Sequence, residues 1–465
     1  MAAVPAGALV QLPFPGGCFA FAEIGGCSTA VPIGQRPINI AATADGAQVY
    51  VLGQSGSLRA FNRDGATNVL GAGPFQIQTA GSHSADGLAI NADGTRVAVS
   101  GGSPDGGRVS VYTRAPDGAL TLLACAEDDT GQGCPERDGL AGARGVALPP
   151  SGPGVYVASE VAGGDGADGD AIGDGALVAF HAQFNGISTT LVQDACIPAF
   201  PSPVSGNACE NPPTQSTALG RVTDVAVSAD GATVYAGGNA GIVGFARDLV
   251  SGELATRVAC LKRSDGLSGC GSDARLGITR DIALDAAGES LYAAANDRVV
   301  VFDRQPLSGG LTLVQCLKDG GGDGCVDVPG LSGSVSSVAV SPDGRTVYVT
   351  DALRNLVVSL RRDPATGLLT TLACVSFAAD PGCAPAAGLN AATAVATTPG
   401  GGVYVASNAG TGASEFGAVA SFRAAQAPVC QDAAVTVTAG SPGTLPLACS
   451  DPDGDPLTLS IAAPA

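Results

Sequence analysis

Basic residues are scarce in this chain: 23 Lys and Arg stand against 42 Asp and Glu over 465 residues, a net charge of −19. A surface so acidic repels phosphate, which excludes a nucleic-acid groove. Histidine is scarcer still, with only His83 and His181. Structural zinc needs four ligands in two close pairs, and a serine triad would have to recruit one of these two rings. No G-x-S-x-G elbow occurs, and His181, beside Phe180 near a strand end, reads as a solvent-facing strand residue. A P-loop is missing too. So is any run of about 18 apolar residues, and with it a transmembrane helix. The opening MAAVPAGALVQL lacks the charged start and apolar centre of a signal peptide. An exported form has had its signal removed, or carries it outside this chain.

Glycine is abundant, with 68 residues beside 30 prolines, and 45% of residues are hydrophobic. Many turns around a sizeable core are expected, with little helix. The stretch SVAVSPDGRTVYVTD, residues 337–351, alternates small and apolar residues, turns at Pro342 to Gly344, and alternates again around Tyr348. Period two on both sides of a turn is a β-hairpin. The same sentence returns from Asn39, Gly87, Gly145, Asp224, Asp281 and Ala394, which makes seven copies. A third strand follows in each, marked by Phe61, Tyr112, Phe180, Phe245, Phe302, Leu360 and Phe422. A fourth follows in most, as GALTLLAC from Gly118 and GLLTTLAC from Gly367. Asp230 and Asp343 lie 113 positions apart, two periods of the repeat. Four antiparallel strands per repeat define a propeller blade, because each sheet buries its faces only against its neighbours. The expectation is an all-β fold, a seven-bladed β-propeller over residues 1–425. The last copy lacks a fourth strand, and GALVQL from Gly7 has the wording of one. Gly7 to Leu12 is therefore expected to complete the seventh blade and close the ring.

The 14 cysteines pair by position: Cys18 with Cys27, Cys125 with Cys134, Cys196 with Cys209, Cys260 with Cys270, Cys316 with Cys325, and Cys374 with Cys383. Cys430 and Cys449 remain for the tail. Each of the first six pairs falls between one blade and the next, which reads as local loop disulfides formed in an oxidising, extracellular setting.

The SPDG…VYV wording is similar to YVTN-type propeller repeats, with SPDGRTVYVTD the best match, and more broadly resembles the seven-bladed lactonase-like propellers of bacteria. The resemblance covers about Gly7 to Ala424. Lacking tryptophan, the chain fits WD-repeat propellers less well. From residue 426 the wording changes. APVCQDAAVTVTAGSPGTLPLACSDPDGDPLTLSIAAPA resembles the first strands of bacterial immunoglobulin-like (cadherin-like) repeats. The resemblance implies a partial β-sandwich segment on a surface-displayed protein, with Asp451, Asp453 and Asp455 in a calcium-linked turn.

Candidate chemistry gathers where the first strands of the blades begin, at the mouth of the central channel. Asn39, Asp86, Arg144, Asp224, Arg280 and Asp281 fall there, with His83 just upstream. A carboxylate, an arginine and a histidine in one pocket can activate water and hold a carbonyl oxygen, as the lactonase-like resemblance implies. The plain alternative is a water-filled channel whose polar residues pair with one another. Calcium held by Asn39, Asp224 and Asp281 is a further version. Asp165, Asp168, Asp170 and Asp174, in a glycine-rich insertion of the third copy, form another candidate calcium loop, departing from the EF-hand pattern in lacking its closing Glu. The leading expectation is an exported or surface-displayed module that binds an unidentified protein or carbohydrate without entering the membrane. The alternative is a lactonase-like hydrolase.

Overall fold

Each hairpin is built by the same local chemistry. In the sixth copy Ser341 donates its hydroxyl to Asp343 at 2.6 Å, and the Thr346 N–H returns to Ser341 Oγ at 2.9 Å. Gly344 takes the left-handed conformation the turn needs, φ 68°. Thr43 with Asp45, and Ser228 with Asp230, repeat the arrangement. The strands leaving these turns carry Val and Tyr in alternation, and Thr346–Asp351 is buried along its whole length. Such a strand lies inside a sheet that is covered on both faces.

The computed structural model describes residues 5–20, 26–29, 36–78, 84–103, 106–128, 133–160, 175–186, 188–198, 219–263, 269–377, 380–409, 416–426, 429–430 and 449–450. Seven sheets, each with an antiparallel core of four strands, follow one another in chain order. Their innermost strands are Pro37–Ala42, Ala85–Ile90, Ala143–Ala147, Val222–Val227, Thr279–Leu284, Val335–Val340 and Ala392–Thr397. Each packs against the innermost strands of the blades on either side, so the ring closes from the seventh blade to the first. The seven residues that mark the third strands, Phe61, Tyr112, Phe180, Phe245, Phe302, Leu360 and Phe422, are all buried.

The seventh blade takes its outer strand from the chain start. Leu9–Gln11 and Cys18–Ala20 both pair antiparallel with Phe416–Ala424. Gly7 occupies the place that a turn glycine holds in the other blades. Tyr50, Tyr156, Tyr235 and Tyr292 are fully buried. Each hydroxyl donates to a turn-glycine carbonyl of the next blade, Gly118, Gly252, Gly309 or Gly367, at 2.6–3.0 Å. Tyr348 donates in the same way to Gly7 O at 3.1 Å. The chain start thus locks the sixth blade to the seventh as well as completing a sheet.

Four of these tyrosines also accept an Nε–H from the next blade, from Arg114, Arg247, Arg304 and Arg362, at 2.6–3.0 Å. At the junction of the second and third blades both positions are alanine, Ala98 and Ala182, and they pack in one apolar cluster. The tyrosine can be kept without the arginine, as at the sixth–seventh junction, where Tyr348 faces a blade with Ala424 at the arginine position. No arginine of this column is buried without its tyrosine, because a buried arginine without its partners is costly. Arg362 is the most committed example. It bonds Tyr292, Gly344 O, Ser290 and the carboxylate of Asp285, and the two charged side chains are 5% and 2% exposed. Arg362→Met should therefore cost about 3–5 kcal/mol in urea denaturation, with Asp285→Leu added to it restoring much of the loss. An unchanged midpoint would remove this contact from the list of stabilising ones.

The cysteine loops add strands that four-stranded blades do not have. Disulfides join Cys18–Cys27, Cys125–Cys134, Cys260–Cys270, Cys316–Cys325 and Cys374–Cys383. Beyond three of them the chain runs parallel to the strand it has just left, with Leu261 opposite Gly271, Leu317 opposite Val326 and Val375 opposite Ala384. Parallel neighbours ordinarily need a crossover of about a dozen residues or more. Here the disulfide holds the return after a far shorter loop, so the fourth, fifth and sixth blades have five strands. Cys196 is disulfide-bonded, and its expected partner Cys209 lies outside the described residues.

Of the tail, Val429–Cys430 and Cys449–Ser450 form a two-stranded pair closed by the Cys430–Cys449 disulfide. Asp451, Asp453 and Asp455, the acidic insertion with Asp165, Asp168, Asp170 and Asp174, and His83 lie outside the described residues.

Candidate functional site at the channel mouth

Every innermost strand breaks register at the same point. The ladder skips between Pro37 and Asn39, Ala85 and Gly87, Ala143 and Val146, Val222 and Asp224, Thr279 and Asp281, Val335 and Ser337, and Ala392 and Ala394. A bulge cancels the strict alternation of a strand and re-aims side chains. Here it turns two successive residues of most blades toward the channel. They line a cavity of about 320 Å³, together with Glu160 from the end of the third blade's second strand. The structure brings Asn39, Asp86, Arg144, Asp224, Arg280 and Asp281 around this one volume.

The second residue of each bulge works mainly across blades. Asp224 accepts the Ile282 N–H at 2.9 Å, Asp281 accepts the Val338 N–H at 2.8 Å, and Ser337 accepts the Val395 N–H at 3.3 Å. Each staples its blade to the next. In the third blade the position is Gly145, where a Cβ would stand 2.4 Å from Asp224 Oδ1. Only glycine admits so close an approach. Asp224 and Asp281 keep some contact with the channel but are packed by protein on all other sides. Burial first, then the neighbouring Asp281, pushes the Asp224 carboxyl well above the usual range. Burial raises Asp281 too, although its bonds to Asp224 and Ser337 oppose the shift. The two carboxyls are hydrogen-bonded to each other and titrate as a pair.

Across the mouth stands an ion triad. Arg144 reaches Asp86 Oδ1 at 3.2 Å and Glu160 Oε2 at 3.0 Å. Burial raises Asp86 to about 6, with Arg144 opposing the shift and Glu160 adding to it. Asn39 donates to Asp86 O at 2.9 Å and accepts from the Ile40 N–H at 2.8 Å. Among the described residues Arg280 has one partner, its Nε–H donating to Asn296 Oδ1 at 3.0 Å. No group of three or more His, Cys, Asp or Glu able to hold a metal occurs among the described residues.

Glu160, Thr223, Ser336, Ser337 and Thr393 line the cavity without having been singled out in the sequence. Four of them sit in the same two columns of the repeat as Asp86, Arg144 and Asp224, so aligning whole columns would have found them. Glu160 comes from a different strand and carries no such signal. His181 is a correction. It is not simply solvent-facing, since its Nδ1 lies 2.6 Å from Asp194 Oδ1, a carboxylate 5% exposed in a bulge of the outer strand.

The fold and channel define a seven-bladed β-propeller. No protein-family model matches the chain and no curated protein matches it. Among solved structures it is similar to the β-propeller domain of Cps50 from Myceliophteria thermophila, at TM-score 0.52 and 12% identity, over 85% of this chain and 98% of that one. Hydrazine synthase of Kuenenia stuttgartiensis aligns at TM-score 0.50 and 14% identity, over 87% and 100% of the two chains. The periplasmic gluconolactonase of Pseudomonas aeruginosa aligns at TM-score 0.49 and 15% identity, over 81% and 93%. Likeness at such identities is a likeness of fold.

Proposed function

We propose that the chain is an exported or surface-displayed propeller that works as a binding module, continuing through residues 426–465 toward immunoglobulin-like repeats. Its recognition surface is the face on which the cysteine-clamped loops surround the channel mouth. The observation that carries this reading is how the polar lining is used. Asp224, Asp281 and Ser337 hold main-chain groups of the following blade, and Arg144 is held by two carboxylates, so these groups shape a rigid cavity. Loops closed by short disulfides lose little entropy when a partner docks. The disulfides also favour an oxidising, extracellular setting.

One observation favours a lactonase-like hydrolase instead. Asp86, raised to about 6 and placed beside Arg144, has the titration of a general base and the neighbour to hold an oxyanion. A single assay separates the two readings. With γ- and δ-lactones the binding module releases acid no faster than buffer does. A hydrolase gives a rate that rises with pH through about 6, as Asp86 loses its proton. That rate falls by about 100-fold or more in Asp86→Asn.

A further inference from the structure

We infer that the ligand of the channel mouth carries a carboxylate and that Arg280 is the residue that takes it, an inference resting on the binding reading above. Arg280 occupies the bulge position of the fifth blade and lines the cavity. Among the described residues no carboxylate lies within ion-pair distance of its guanidinium, whose one partner is Asn296. The other channel arginine, Arg144, is spent on Asp86 and Glu160. Two acidic side chains that line the same cavity, Asp224 and the sequence neighbour Asp281, are engaged elsewhere, accepting N–H groups of the following blades. Of the two arginines that line the cavity, Arg280 is the one without a carboxylate partner among the described residues.

The support behind it is specific. Asn296 is held in the left-handed region, φ 37°, while its carbonyl accepts the Val335 N–H at 2.5 Å. Asparagine tolerates that conformation better than most residues, and strain of this kind persists where the surroundings impose it. It brings Oδ1 to the Nε of Arg280 and sets the orientation of the guanidinium plane. The two Nη groups are left as a fork, which a planar carboxylate matches with two parallel bonds. On either side, Thr223 and Ser336 donate their hydroxyl hydrogens to Thr279 O and Ala392 O, both at 2.7 Å. Ser336 Oγ then accepts from Thr350 Oγ1 at 2.8 Å, whereas the Thr223 oxygen is left to accept, which suits a ligand with a hydroxyl hydrogen of its own. A cavity of about 320 Å³ is at the small end of the range for small-molecule sites.

The test is calorimetric titration of the intact protein with L-malate and with succinate, which differ by one hydroxyl, against sodium chloride of equal ionic strength. Malate is expected to bind, and more tightly than succinate. Arg280→Gln should weaken malate by about 10- to 100-fold, the range for a lost charged hydrogen-bond pair. Arg280→Lys should lose part of that, because an ammonium cannot make the paired contact. No binding of either acid up to about 10 mM overturns the inference. So does malate binding that survives Arg280→Gln. In that case Ser336→Phe, which fills the cavity, tells which reading failed. If it abolishes binding, the channel remains the binding site and only the role of Arg280 falls; if it has no effect, both fall. Circular dichroism and the melting temperature of each variant check that the fold is retained.

Discussion

Deletion of residues 1–12 is expected to bring the protein close to the limit of stable folding. The deletion leaves the seventh blade without the Leu9–Gln11 strand and exposes the edge of Phe416–Ala424. Leu9 and Leu12 are both buried, and burying a leucine contributes about 1.5–3 kcal/mol. The bonds from Gly7 N to Ala425 O, Ala425 N to Ala8 O, Leu12 N to Ser421 O and Tyr348 to Gly7 O go as well, at about 1 kcal/mol each. The total is of the order of 5–10 kcal/mol, comparable with the whole stability of an ordinary domain. The unpaired edge also becomes a template for pairing between copies. Urea denaturation and size-exclusion chromatography should show a much lower midpoint and larger species. A peptide of residues 5–12, added in excess, should reverse part of both effects. A midpoint unchanged by the deletion would mean that the ring does not depend on its closing strand.

The second large effect is expected from reduction. Five described propeller disulfides close spans of 9 or 10 residues. On a chain-entropy basis each such loop contributes about 2–3 kcal/mol, so complete reduction should lower the melting temperature by on the order of 10 °C in a protein of this size. The sheets should survive, because their ladders and packed faces do not pass through the loops. Trypsin provides the local reading. Lys262 and Arg263 lie between Cys260 and Cys270, and Lys318 lies between Cys316 and Cys325. Cleavage there should appear on reduction, once the parallel pairing of Lys262 with Ser272 and of Lys318 with Asp327 is no longer held. Equal cleavage with and without reductant would show that the disulfides do not order these loops.

Much of the fold was legible because it is written in short spans. A strand–turn–strand unit such as 337–351 needs only alternation and an Asp-Gly turn. Gly7-Ala8-Leu9 could be matched to Gly118-Ala119-Leu120, since a strand keeps its wording even when the chain start supplies it. The fifth strands were not legible. Parallel pairing of Leu317 with Val326 depends on a disulfide-held return, and nothing in CVDVPG distinguishes it from loop. The channel was legible in part. The repeat placed Asp86, Arg144 and Arg280 at one end of the first strands, but alternation alone would have sent neighbours such as Arg280 and Asp281 to opposite faces. The seven bulges bring both to the cavity.

The sequence by itself determined the hairpins, their sevenfold recurrence, the closing strand and the near-neighbour cysteine pairs, because each rests on interactions within about ten residues or on one unit copied. Only the tertiary structure decided which polar groups are spent and which are left over. Asp224 is occupied by Ile282, Arg144 by Asp86 and Glu160, and Tyr235 by Arg304, whereas among the described residues Arg280 has no partner for its fork. Most of those partners lie more than 50 residues apart in the chain. Their meeting is set by the rotation of one blade against the next as the ring closes, a quantity that no local pattern encodes.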